Sequence, residues 1–157
     1  MANAPHRFRN GHDENALLDG FLALADQWIA RTVSAGGTEW FRGAIRDVVH
    51  ASSDRALGVA IGLAPRRLGK ADPALTTDDK ARAAALRPGF DPSDWSVDQL
   101  ARVAFMIASH DGNDATFAAR FDGFCSSAEL NELIALCRGL PLYPGAALIE
   151  PRAREAV

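Results

Sequence analysis

From Ala16 onward the apolar residues of this chain recur at three- and four-residue steps, and glycine or proline breaks the rhythm at short intervals. That spacing coats one face of a 3.6-residue helix, so the chain must bury a series of short amphipathic helices against one another. Leu17, Leu18, Phe21, Leu24, Ala25, Trp28 and Ile29 set the first stripe, and Gly36-Gly37 is expected to close it. Thr38 then reads as the N-cap of a second helix that buries Trp40, Phe41, Ala44, Ile45, Val48 and Val49. The stretch from Leu57 to Ala64 is almost continuously apolar, which predicts a third helix surrounded by the others and stopped at Pro65.

Thr76-Thr77-Asp78-Asp79 reads as the capped start of a short Ala-rich helix ending near Arg87, with Pro88-Gly89 closing it. A capping box, Ser96-x-x-Gln99, launches a fifth helix through about Ser109, with Val97, Leu100, Ala101, Ala104, Phe105 and Ala108 inward. Phe117, Phe121 and Phe124 make an aromatic stripe, and Ser126-x-x-Glu129 reads as a second box before Leu130, Leu133, Ile134, Leu136 and Cys137. After Leu140-Pro141-Leu142-Tyr143-Pro144, Ala146 to Val157 is the expected last helix. No alternating β-branched run supports a strand. The expected fold is all-α, a compact irregular bundle or α/α stack of about six to eight short helices joined by short connections. Residues 1–15 are polar and aperiodic and carry Pro5 and Gly11, so they are expected to form a flexible tail ahead of one helical domain over residues 16–157.

Composition narrows the function classes. A chain of 157 residues buries roughly 70% of its unfolded surface, enough for one core without staples. The net charge of -3 and pI near 5.8 deny it the field that attracts a polyphosphate backbone, so nucleic acid is not an expected partner. No apolar run reaches the roughly 20 residues that span a bilayer, and the N-terminus has no hydrophobic signal region, so no transmembrane segment and a cytoplasmic location are expected. Cys125 and Cys137 lie in apolar helical patterns and read as buried free thiols. No cofactor or metal signature is present.

Pro65-Arg66-Arg67-Leu68-Gly69-Lys70 is the local cluster with the most chemical content. Arg66, Arg67 and Lys70 are the candidate anion contacts, because two guanidiniums and an ammonium around a flexible glycine can converge on a phosphate or carboxylate. The bland alternative is that cations at a helix C-terminus simply oppose its negative dipole end. His50 and Asp54 are four apart, but two ligands do not make a site, and His110-Asp111 sits in a turn-forming Gly-Asn context. Asp91, Asp94, Asp98 and Asp111 fall at loops and helix starts, where capping accounts for them. The serines occupy no nucleophile elbow or SxxK motif. Trp95, in the loop after Pro92, either packs beneath that loop or faces a partner. It is paired with Asp98 as a candidate partner-binding element.

Three ordered blocks carry a family resemblance. They are Ala64-Pro65-Arg66-Arg67-Leu68-Gly69-Lys70, then Asp91-Pro92-Ser93-Asp94-Trp95-Ser96-Val97-Asp98-Gln99-Leu100-Ala101-Arg102, then Glu132-Leu133-Ile134-Ala135-Leu136 with Leu140-Pro141-Leu142-Tyr143-Pro144. In this order the chain resembles the EboA-domain family. It departs from the family pattern in two places: Ser127-Ala128-Glu129 stands where Thr-Ala-Asp is usual, and Cys137 where an aromatic is usual. Family members commonly continue past this chain's end, so a C-terminal extension is expected to be missing here.

The resemblance implies a helical protein encoded in bacterial clusters that make, modify or move a secondary metabolite. Partners would be other proteins of the same cluster or an anionic small molecule. With no catalytic constellation in view, the leading expectation is a non-catalytic adaptor or small-molecule-binding protein. The alternative is an enzyme acting on a phosphorylated or isoprenoid metabolite, with Asp98 contributing proton transfer.

Overall fold

The structure is a computed structural model that describes residues 4–51, 53–145 and 147–149, with side chains from residue 13 onward. Seven α-helices have defined bounds: α1 Ala4–Thr32, α2 Ala35–Ala51, α3 Asp54–Leu68, α4 Thr77–Leu86, α5 Val97–Ala108, α6 Asp114–Ser127 and α7 Leu130–Arg138. Among the described residues there is no strand, so the all-α bundle expected from the apolar spacing is what forms.

The surrounded helix is α5, not α3. Every α5 residue except Gln99 is buried, and α1, α2, α3 and α7 all pack against it. The apolar run of α3 instead leaves Val59 52% exposed. Phe105 of α5 carries the centre of the core, with its ring 5.4 Å from that of Phe41 and 5.8 Å from that of Trp40. A second cluster, Phe21, Phe90 and Trp95, has ring centroids 5.4–6.3 Å apart and fastens the loop ahead of α5 beneath α1. Such edge-on aromatic pairs add to plain area burial.

Two start signals hold as read. Thr76 and Asp79 cap each other reciprocally at the start of α4, through Thr76 N to Asp79 Oδ2 and Asp79 N to Thr76 Oγ1. Ser96 N donates to Gln99 Oε1 at 3.0 Å, although the Ser96 hydroxyl turns to the Asp98 carboxylate.

Several boundaries differ from the sequence reading, each for a nameable reason. Gly36-Gly37 does not end α1. It lies in the first turn of α2, because Ser34 Oγ accepts from Gly37 N and the Ser34 carbonyl accepts from Thr38 N. Gly37 serves close approach: a Cβ there would stand 2.5 Å from Val33 Cγ1 and 3.2 Å from the Arg67 carbonyl oxygen. Pro65 lies inside α3, and the helix runs on to Gly69, whose φ of 80° stops it. The second box is absent, since Ser126 and Ser127 belong to α6 and donate to the carbonyls of Asp122 and Gly123. Val49, expected inside, is 52% exposed. The first helix starts at Ala4 rather than near Ala16, with Pro5 in the first turn, where a missing N–H costs nothing. Glu14 of that helix accepts from Gly145 N at 3.2 Å. Apart from residues 147–149, the helix expected over 146–157 lies outside the described residues.

Candidate functional site

Two adjacent helix faces leave space where their side chains are too small to meet. Trp40, Gly43, Ala44 and Asp47 share one face of α2, and Ala56, Val59, Ala60 and Leu63 share one face of α3. Gly43 and Ala44 look across at Ala56 and Ala60, and bulk is lacking on both sides, so a groove of about 420 Å³ remains. Its walls are mainly apolar. Trp40 is half-buried and rests edge-on against Phe105, which ties this groove wall to the central helix. Polar groups enter only towards the connection between α2 and α3, as Asp47, Ser53 and Arg55.

A second groove of about 430 Å³ runs between α3 and α6, lined by Asp54, Arg55, Ala119, Arg120, Gly123, Phe124 and Ser127. Arg55 walls both, so the two grooves flank the same side chain at the start of α3. Arg120 donates to Asp54 at 2.8 Å and to the Ser109 carbonyl at 2.6 Å, which fixes that ion pair in place. Among the described residues the Arg55 side chain has no hydrogen bond or ion pair.

The candidates singled out from the sequence are scattered. Arg66, Arg67 and Lys70 are exposed at the C-terminal end of α3, form no ion pair among the described residues and line neither groove. Trp95 is 5% exposed within the Phe21–Phe90 cluster, so the packing alternative describes its position. Asp98 is also buried, bonded to Ser96 and 3.9 Å from the guanidinium of Arg102. Neither side chain is presented at the surface for a partner.

His50 and Asp54 end up on different helices, with Asp54 committed to Arg120. His110 bonds Asp114 at 2.9 Å and not Asp111. Cys125 and Cys137 are half-buried thiols that form no disulfide, with burial pushing the Cys137 thiol up and a bond to Cys125 opposing that shift. Trp40 is the one tryptophan expected in the core that instead forms a groove wall.

Residues 21–157 match the EboA family, described as metabolite traffic protein EboA. The chain belongs to this family. The matched span of this EboA chain takes in every residue of both grooves, and it leaves out residues 1–20, which include the first part of α1. No curated protein and no solved structure matches it. No helix among its described residues is long and apolar enough to cross a membrane. The groove residues of this EboA protein escaped the sequence reading, because small residues at helical spacing are equally the signature of two helices in close contact.

Proposed function

We propose that this EboA-family protein is a non-catalytic carrier or adaptor in metabolite traffic that holds a small molecule in the α2–α3 groove. One observation carries the reading. A concave, mainly apolar space with a tryptophan wall and a few polar groups gathered towards one end is the form that small-molecule sites take. The family's description as a metabolite traffic protein supports the same reading. Arg66, Arg67 and Lys70 stand at the opposite end of α3, roughly 16 Å from Arg55 at 1.5 Å per residue. There, exposed and without an ion pair among the described residues, they are the candidate contact for an anionic group, including acidic side chains of a protein of the same pathway.

The test uses Gly43→Leu. The new side chain enters the groove, where a Cβ meets only Arg46 Nη2 at 3.6 Å, and leaving glycine raises helix propensity by roughly 1 kcal/mol. In thermal unfolding, a small-molecule extract of the source cells should raise the wild-type midpoint by about 2 °C or more and leave Gly43→Leu unmoved. A wild-type midpoint that no extract fraction shifts, or an equal shift in both proteins, contradicts the reading.

A further inference from the structure

The two grooves differ in charge. In the α2–α3 half, Asp47 and Arg55 balance each other over walls that are otherwise mostly alanine, glycine, valine, leucine and tryptophan. In the α3–α6 half, Asp54 is paired with Arg120 at 2.8 Å, whereas the Arg55 side chain makes no ion pair among the described residues. The N-terminal end of α3 adds a partial positive charge of the same sign. The site therefore runs from an apolar trough to an arginine side chain that, unpaired among the described residues, can bond an anionic group there. We infer that its ligand is an elongated amphiphile, its apolar body along α2 and α3 beside Trp40 and its phosphate or carboxylate head on Arg55.

This rests on the groove reading above, and it adds a ligand class and a head-group residue. Ser53, on the wall of the trough next to Arg55, caps α3 by accepting from Ala56 N, and its hydroxyl proton is left to donate to the same head. The position of Arg55 also separates this site from the cationic turn at Arg66, Arg67 and Lys70, so a charge-dependent ligand discriminates between the two ends of α3.

Isothermal titration with decyl phosphate, decanol and inorganic phosphate, each kept below any micellar concentration, tests the inference. Decyl phosphate should bind wild type about tenfold or more tightly than decanol, and inorganic phosphate alone should bind weakly, because the head-group bond is charge-assisted but the body supplies the burial. Arg55→Met should bring decyl phosphate down to the decanol level while decanol itself is unaffected. Arg67→Ala should change neither. Equal binding of decyl phosphate and decanol, or no loss in Arg55→Met, would overturn the head-group assignment and leave the groove reading standing. Failure of every probe to bind, or binding that Gly43→Leu does not diminish, overturns both. Association only with vesicles of anionic lipid, with no binding of free decyl phosphate, overturns the inference as well.

Discussion

Arg102 Nε donates to the carbonyl oxygen of Ile61 at 3.0 Å, the acceptor that Pro65 leaves without an intrahelical donor. Proline has no N–H to give the carbonyl four residues back, and inside a helix that loss is costly. Here a buried guanidinium from the neighbouring helix fills the gap, and its terminal nitrogens stand 3.9 Å from Asp98 and 4.0 Å from Glu132. Arg102→Met should cost about 3 kcal/mol, because it strands one carbonyl and two carboxylates together. Pro65→Ala restores the helical donor to Ile61, so in that background the same substitution should cost about 1 kcal/mol less. Urea unfolding of the four proteins in this cycle measures the coupling, and an identical cost in both backgrounds would refute it.

Acid stability should depend on Asp79. The Arg31 guanidinium, at 2.5 and 3.2 Å, holds this carboxyl below the usual range, assisted by Thr76 and opposed by desolvation. A folded-state pKa that is depressed stabilises the protein above the unfolded value of about 3.9 and loses that contribution as pH falls. Asp79→Asn should therefore lower stability by about 1–2 kcal/mol at pH 7, a figure discounted for the 38% exposure of Arg31. The gap from wild type should close as pH drops below about 4. A gap that stays constant across that range would contradict the ion-pair account.

Tyr143 is the only tyrosine in the chain, which makes its ionisation directly readable. Its hydroxyl donates to the Leu136 carbonyl at 2.6 Å, and burial pushes its pKa well above the usual range. Since the folded value is the higher one, the contribution is complete below about pH 10 and is lost as pH rises beyond it. Tyrosinate absorbance should appear only together with unfolding, and Tyr143→Phe should reduce the alkaline loss of stability. Tyrosinate formation in a protein that is still folded would show that the hydroxyl reaches solvent.

The exposed cations at the end of α3 should be dispensable for folding. Replacing Arg66, Arg67 and Lys70 together by alanine is expected to change stability by no more than about 1 kcal/mol, since none has an ion-pair partner among the described residues. Loss of an acidic protein partner in pulldown with wild-type stability is the expected phenotype of an anion contact. Collapse of the fold in this triple variant would instead assign the cluster a structural role.

Much of the architecture was legible because stripes such as Leu18, Phe21, Ala25 and Trp28 obey helical spacing whatever their neighbours do. Capping at Thr76 and Ser96 was legible for the same reason, since both ends of each hydrogen bond lie within four residues. Pro65 and Gly37 were misread because their roles are set by distant groups, Arg102 in one case and the Arg67 carbonyl in the other. The groove was hidden more deeply. Gly43, Ala44, Ala56 and Ala60 are just as suited to tight helix contact, and only the folded arrangement of α2 beside α3 shows that they line an open groove.

The three tryptophans offer the most direct test of a ligand in that cavity. Trp40 lines the groove, whereas Trp28 and Trp95 are buried at 0% and 5% exposure in other parts of the core. In two-dimensional nitrogen–proton NMR spectra recorded during a decyl phosphate titration, the account predicts that the Trp40 indole signal shifts in a saturable way while those of Trp28 and Trp95 hold still. Saturable movement of Trp28 or Trp95 without Trp40, or no movement of any of the three, would contradict it.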